Sequence, residues 1–257
     1  MQVRSPSLVI RSAVQPFGPK VHALEAGTVF FLLLSYIWYF QSRMHSSWII
    51  LLALVILSHI VRGESPTALG LRRAGFAECA RRFALPVVIV AALGTALGFA
   101  FDTVRDVAVW RVAGVLGGYC FWALFQQYLL NGYFTNRLQA SLDTRYQFLV
   151  APMAGLMFAA AHLPNPLLVV VTLIGGTVAA AAYQRHRNLF FLAFAHAIIG
   201  TMLWLAVPDT VSHHLRVGPG MRRGHHAHVV QRPSAGGEAA PSVVSERTRE
   251  GERHQGP

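Results

Sequence analysis

The chain has 257 residues, of which 54 % are hydrophobic and 13 % are charged, and its formal net charge is +11. This composition excludes an ordinary soluble domain of this length and indicates a protein that crosses a membrane several times. The basic residues lie between apolar runs rather than in one stripe, so they indicate membrane orientation and not nucleic-acid binding.

The apolar runs predict an all-α, multi-pass transmembrane bundle of seven or eight helices. The predicted helices cover residues 24–41, 47–61, 83–101, 108–137, 148–163, 166–184 and 189–207. A span takes about 17–25 residues, so the shorter runs need a few flanking residues. Small residues let helix backbones approach closely, and we expect this of Gly114, Gly117, Gly118, Gly175 and Gly176.

Composition divides the chain into four parts. We predict a polar basic segment over residues 1–23, N-terminal transmembrane helices over 24–104, a second transmembrane domain over 105–207, and a polar, disordered tail over 208–257. Cys79 is expected in a polar loop and Cys120 in an apolar helix, a pattern that indicates neither a disulfide framework nor a cysteine metal site.

The loops predict the orientation. Basic residues concentrate on one set of alternating loops: Arg4, Arg11, Lys20, Arg62, Arg72, Arg73, Arg81, Arg82, Arg137, Arg145, Arg185 and Arg187. The opposite loops hold Arg43 and Arg105, with Arg111 at the adjoining helix end. Because basic loops stay in the cytoplasm, this asymmetry predicts a cytoplasmic N-terminus, and we expect the protein in a bacterial inner or plasma membrane.

Polar residues on three apolar helices form the candidate site. Gln126 and Gln127 lie on the fourth predicted helix, His162 ends the fifth, and His196 lies in the seventh. At about 1.5 Å rise per residue, all of them fall in one broad layer inside the bilayer. Polar groups in lipid need partners, so we expect Gln126, His162 and His196 to face one cavity. The alternative is that each polar residue separately joins two helices.

The ordered motifs resemble those of the CPBP intramembrane proteases, which include the type II CAAX prenyl endopeptidases and the lysostaphin-resistance proteins. That family carries Glu-Glu-x-x-x-Arg, then Phe-x-x-x-His, then His-x-x-x-Asn. Here the first motif falls on Gln126, Gln127 and Asn131. Phe158 and His162 match the second motif in full, and the third falls on His196 and Gly200.

The resemblance implies an intramembrane endopeptidase that acts on membrane-associated or prenylated peptides. His162 would then be the base, Gln126 would position water and His196 would polarise the scissile carbonyl, with Gln127, Asn131, Phe158 and Gly200 in support. An amide cannot replace a carboxylate as a proton acceptor. The alternative function is therefore a non-catalytic membrane protein that binds a peptide or a lipidated partner in the same cavity.

The expected partners are membrane lipid and a peptide or lipidated protein, with no nucleic acid. Zinc prefers His, Cys and carboxylate ligands, and the apolar layer offers only His162 and His196. We therefore predict no cofactor, without excluding a metal. A small-solute transporter is less favoured, because the chain shows no pair of Gly/Pro-broken helices and no internal hydropathy repeat.

Overall fold

A computed structural model describes residues 17–221, and this part of the chain is all helical, without a strand. The α-helices are α1 Pro19–Ser35, α2 Trp48–Val61, α3 Phe76–Ala100, α4 Val109–Gln127, α5 Asn136–Ser141, α6 Val150–Ala160, α7 Pro166–Arg185, α8 Leu189–Ala206 and α9 Asp209–Ser212. A π-helical segment, Tyr36–Phe40, extends α1, and another, Tyr128–Thr135, joins α4 to α5 without a break. Short 3₁₀ turns occupy His45–Ser47, Thr144–Leu149 and His213–Leu215. The predicted all-α fold is confirmed.

Four helices are long and apolar enough to cross a membrane: Pro19–Phe40, Phe76–Ala100, Pro166–Arg185 and Leu189–Ala206. Helix α2 is a shorter apolar helix. Large apolar side chains point outward, for example Leu85 at 68 % and Phe121 at 81 % exposed, whereas Arg137 is 1 % exposed. Apolar groups outside and polar groups inside are what a lipid environment requires.

Asparagine side chains cap the N-termini of α7 and α8. Asn165 Oδ1 accepts a hydrogen bond from the Leu168 amide at 3.1 Å, and Pro166 takes the first position of α7. Asn188 Oδ1 accepts from the Phe191 amide at 2.9 Å at the start of α8. An Asn cap satisfies an amide that the helix itself leaves unpaired, and Pro suits the first helical position.

Both Asn side chains also hold neighbouring segments. Asn165 Nδ2 donates to the carbonyls of Ser212 and Arg216, so residues 208–221 are ordered, in contrast to the disorder predicted from residue 208 onward. Asn188 Nδ2 donates to the carbonyls of Arg72 and Ala74 in the loop before α3. The rest of the predicted tail, and residues 1–16 of the predicted N-terminal segment, lie outside the described residues.

Helix α6 packs along α7, α8 packs against both α3 and α4, and α1 packs against α5. The α6–α7 contact is close at Gly155, where an added Cβ would lie 2.7 Å from the Leu173 carbonyl oxygen. At Gly176 an added Cβ would lie 3.2 Å from the Gly155 Cα, as predicted for this glycine. The prediction was wrong for the other four, since nothing lies within 4 Å of a Cβ at Gly114, Gly117, Gly118 or Gly175.

Helix α3 begins at Phe76, seven residues earlier than predicted. Its first turns can carry charge because the side chains of Glu78 and Arg82 are about half or more exposed and pair with each other at 3.7 Å. Cys79 therefore lies in a helix rather than in a polar loop, and it is 2 % exposed. Its Sγ faces the His186 carbonyl oxygen at 3.8 Å.

Candidate active site

A chain of amide side chains runs along the junction between α4 and the π-helical segment. Asn131 Nδ2 donates to Gln127 Oε1 at 2.6 Å, and the Thr135 hydroxyl lies 3.1 Å from Asn131 Oδ1. Gln127 is 3 % exposed, and Asn131 and Thr135 are fully buried. Residues four apart share a helix face, so the three groups bond in series along it. The pair that replaces the family's Glu and Arg is thus held together by one hydrogen bond.

Gln127 also fixes the proton of His196. Gln127 Nε2 lies 3.3 Å from His196 Nδ1. Because Gln127 Oε1 is occupied by Asn131, the amide nitrogen faces the ring and can only donate. His196 Nδ1 must then accept, and in the neutral imidazole the proton sits on Nε2. In this tautomer, His196 Nε2–H is the hydrogen-bond donor of the ring.

His162 has the opposite tautomer. Its Nδ1 lies 2.7 Å from the carbonyl oxygen of Phe158, one turn earlier at the end of α6. A carbonyl oxygen only accepts, so Nδ1 carries the proton and Nε2 keeps its lone pair. The ring is half-buried rather than sealed, and so is His196. His162 can thus accept a proton at Nε2.

Phe158 brings the two histidines together. Its ring centroid lies 4.7 Å from that of His162 and 5.8 Å from that of His196, with both contacts edge-on. The Phe158 ring packs against α7 at Gly176, where an added Cβ would lie 3.1 Å from Phe158 Cδ1. This contact fixes the position of the ring. One aromatic ring therefore contacts both histidines.

Side-chain contacts link Gln127, Asn131, Phe158, His162 and His196 to one another. Gln126 is half-buried and forms no side-chain hydrogen bond with any residue between 17 and 221. Gly200 lies one turn after His196 and is buried against the ring of Tyr119. The glutamine that touches a histidine is thus Gln127, whereas Gln126 was expected to share the cavity with both histidines.

Within residues 17–221, no group of three or more His, Cys, Asp and Glu side chains is arranged to hold a metal ion. Of the five residues in contact at this site, His162 is the one with an unshared lone pair on a basic nitrogen.

A second polar cluster, missed by the sequence reasoning, surrounds Arg137. Arg137 Nη1 and Nη2 donate to Glu64 Oε1 and Oε2, each at 2.8 Å, and Nε donates to Glu25 Oε1 at 3.2 Å. His59 Nδ1 lies 2.6 Å from Glu64 Oε2, and the Tyr133 hydroxyl donates to Glu25 Oε1 at 2.9 Å. These bonds join α1, α2 and the loop after α2 to the start of α5. A buried bidentate Arg–carboxylate pair is strong and specific in geometry.

The charges of this cluster are stabilised by one another. Burial alone would raise the pKa of the Glu64 carboxyl, but the hydrogen bonds from Arg137 and His59 outweigh it and lower that pKa to about 2. One sequence signal could have revealed the cluster: Glu25 is the only acidic residue in the first apolar run. A carboxylate inside a membrane helix requires a partner, and Arg62 and Arg137 both pair with Glu25.

Residues 108–202 match the family model described as Rce1-like, type II CAAX prenyl endopeptidase Rce1-like. The match confirms the resemblance predicted from the motifs. The matched residues include all three motifs and lie within the predicted second transmembrane domain, residues 105–207. No curated protein and no solved structure matches the chain. The Rce1-like match over these residues and the four apolar helices support an integral membrane protein that is similar to the CAAX proteases in this part of the chain.

Proposed function

We propose that this Rce1-like domain hydrolyses a peptide bond of a lipid-bearing peptide inside the membrane, with His162 as the base. The observation that carries the proposal is the contact of both histidine rings with Phe158, together with the hydrogen-bond partner of each Nδ1. His162 offers an acceptor nitrogen and His196 offers an N–H donor. Hydrolysis needs both, one to take a proton from water and one to stabilise the carbonyl oxygen as it becomes negative.

In the reaction, water attacks the carbonyl carbon while His162 Nε2 takes one of its protons. The carbonyl π electrons move to oxygen, and His196 Nε2–H donates a hydrogen bond to that oxygen. The imidazolium of His162 then protonates the amine as the C–N bond breaks, which restores the neutral base. The Nδ1–H bond from His162 to the Phe158 carbonyl persists throughout and stabilises the imidazolium.

The amide chain supplies geometry rather than charge. Gln127 holds the His196 ring and its tautomer, and Asn131 holds the Gln127 amide. Partly exposed Gln126 has no partner among the described residues, so its amide is available to position the attacking water. We expect slower hydrolysis than with a carboxylate, because a general acid–base group typically contributes roughly 10²–10⁴-fold.

An apolar groove beside the site fits the lipid part of such a substrate. Its volume is about 410 Å³, and it is lined by Phe76, Cys120, Phe121, Leu124, Phe190, Ala193 and Phe194. Leu124 lies one turn before Gln127, and Ala193 lies one turn before His196. The groove therefore opens along the same α4–α8 interface as the site, and we assign it to the isoprenoid chain of a prenylated peptide.

The test uses the purified full chain in lipid nanodiscs and a farnesylated CAAX peptide, with cleavage followed by mass spectrometry. His162→Asn keeps a donor for the Phe158 carbonyl but removes the base, so we expect at least a 100-fold loss of kcat. His186→Ala, which changes a histidine outside this site, is the matched control and should cleave like the parent. Equal cleavage by the parent and His162→Asn would refute the assignment of the base.

The second candidate function is binding without cleavage. The observation that favours it is the pairing of the Gln127 and Asn131 amides, which leaves the buried part of the site without a carboxylate. A parent protein that binds the farnesylated peptide and releases no fragment would support this function and exclude hydrolysis.

We also propose that the membrane is a bacterial inner or plasma membrane and that the N-terminus lies in the cytoplasm. The support is the concentration of arginines on one set of loops. Two loops of this set contact each other, since Arg72 Nε donates to the Arg187 carbonyl at 3.1 Å.

A further inference from the structure

His162 lies on the turn that joins α6 to α7, outside both helices. Helix α6 ends at Ala160, and α7 begins at Pro166. The Asn165 amide donates to the His162 carbonyl oxygen at 3.1 Å and closes the turn. A residue on such a turn is not held by the repeating bonds of a helix, so its position depends on what the turn contacts.

A segment that follows α8 bonds to this turn. Residues 208–221, here called the C-terminal strap, begin two residues after the end of α8 and include α9. The Gly218 amide of the strap donates to the Leu163 carbonyl oxygen at 2.8 Å. Because Leu163 directly follows His162, this bond holds the chain one residue from the base.

Asn165 joins the turn to the strap and to α7. Its side chain is fully buried, and its Oδ1 caps α7 by accepting from the Leu168 amide. Its Nδ2 donates to the carbonyls of Ser212 at 2.9 Å and Arg216 at 3.1 Å, both in the strap. The oxygen and both hydrogens of the amide therefore have partners, and one side chain fixes the turn against two segments.

The strap is itself held near both of its ends. Near its start, Asp209 pairs with Arg105 in the loop before α4. Near its other end, an added Cβ at Gly218 would lie 3.0 Å from Ile37 Cγ2 and 3.1 Å from the Ile37 carbonyl oxygen, in the segment that extends α1. Gly218 has a φ of +57°, a conformation that favours glycine. The strap is therefore a fixed support for the turn that carries His162.

We propose that Asn165 is a positioning residue for the base, and that the C-terminal strap is the support through which it acts. This inference rests on the proposed function. Proton transfer needs the acceptor nitrogen within hydrogen-bond reach of the attacking water, and a misplacement of about 1 Å can lower a rate about 100-fold. Asn165 and the strap fix the backbone at His162, while the Nδ1–H bond to the Phe158 carbonyl fixes the orientation of the ring.

The first test removes only the donors that link the turn to the strap. In Asn165→Asp, the side chain keeps the oxygen that caps α7 and loses the Nδ2 bonds. The assay is cleavage of the farnesylated CAAX peptide by the full chain in nanodiscs, with kcat expressed per folded protein. We expect kcat to fall about 10–100-fold with KM within about twofold, because the apolar groove is formed by α3, α4 and α8 and not by the turn.

Asn188→Asp is the matched control. Asn188 caps α8 in the same way, and its Nδ2 also donates to two carbonyls, those of Arg72 and Ala74. The control therefore removes the same number of hydrogen bonds and should lower the midpoint of thermal unfolding about as much as Asn165→Asp does. Its kcat per folded protein should stay within about twofold of the parent. An equal loss of kcat in both variants would refute a specific role for Asn165.

A second pair of variants disturbs the strap without changing the turn. In Gly218→Ala, the new Cβ meets Ile37 and the positive φ becomes strained, so the amide that donates to Leu163 is displaced. We expect kcat to fall at least about threefold at an unchanged KM. Gly220→Ala is the control, because nothing lies within 4 Å of a Cβ there, and it should cleave like the parent.

The outcomes separate this inference from the proposed function. If the parent cleaves and His162→Asn does not, while Asn165→Asp and Gly218→Ala both cleave at the parent rate, the positioning role is refuted and the proposed function stands. If the parent releases no fragment, the proposed function and the positioning role are both refuted.

Discussion

Removal of the Arg137 guanidinium should lower the free energy of unfolding more than removal of any exposed arginine. In Arg137→Met, Glu64 loses both of its bidentate hydrogen bonds and keeps only the contact with His59. Glu25 keeps Ser58, Arg62 and Tyr133 as partners, so most of the cost falls on Glu64.

The magnitude follows from these contacts. A hydrogen bond to a charged group contributes about 1.5–3 kcal/mol, and breaking a buried ion pair from one side costs roughly 3–5 kcal/mol. We expect the free energy of unfolding to fall by about 3–5 kcal/mol. Arg145→Met is the matched control, because the Arg145 side chain is 72 % exposed, and it should change the free energy by less than about 0.5 kcal/mol.

The assay is reversible unfolding in mixed micelles with increasing dodecyl sulfate, followed by circular dichroism of the helices. Arg137→Met with Glu64→Gln should recover part of the loss, since the second change removes the charge that the first leaves unpaired. The reasoning is refuted if Arg137→Met stays within 1 kcal/mol of the parent, or if Glu64→Gln adds to the loss instead of reducing it.

Other predictions concern pH, topology and the amide chain. The folded pKa of Glu64, about 2, lies below its ordinary value of 4.5, so its stabilisation is complete above pH 4.5 and is lost as the pH falls toward 2. Unfolding at pH 3 and pH 7 should show a smaller difference for Glu64→Gln than for the parent. In a chain without accessible native thiols, Arg73→Cys should resist an impermeant maleimide in intact cells and Met44→Cys should react; the reverse pattern would invert the predicted orientation. Gln127→Glu should lower kcat rather than raise it, because a carboxylate at position 127 only accepts, so His196 would shift its proton from Nε2 to Nδ1 and Nε2 would lose its donor hydrogen. A rate gain, measured on the farnesylated peptide, would contradict the assigned tautomer.

Helix periodicity and depth made part of the site predictable. The spacing of Phe158 and His162 places both on one face of α6, and the four-residue step from Gln127 to Asn131 is realised as a hydrogen bond. The choice between Gln126 and Gln127 was not predictable, because adjacent helical residues point about 100° apart and only the packing of α4 on α8 decides which one faces His196.

The cluster around Arg137 was missed for a different reason. Arg137 follows an apolar run, which is also the pattern of a basic loop residue, and hydropathy cannot tell the two apart. The chain continues as helix through a π-helical segment, so Arg137 remains inside the bundle and meets Glu25 and Glu64. Such wide turns have no reliable sequence signature, although they are common at functional sites.

Three of the four departures from the family's motifs, at positions 127, 131 and 200, are each matched by a neighbouring side chain. An isolated glutamine at position 127 would lack a donor for its oxygen, and Asn131 supplies that donor where an arginine would have faced a carboxylate. A lone glycine at position 200 would leave a cavity, and the Tyr119 ring fills it. Random loss of function would leave unpaired polar groups or voids, which cost about 1–3 kcal/mol for each buried unsatisfied group. Gln127, Asn131 and Gly200 thus each have a neighbour that fits them, whereas Gln126 forms no side-chain hydrogen bond among residues 17–221. The mutual fit at these three positions favours the proposed neutral site, because independent loss of the motifs does not require each change to be matched by its neighbour.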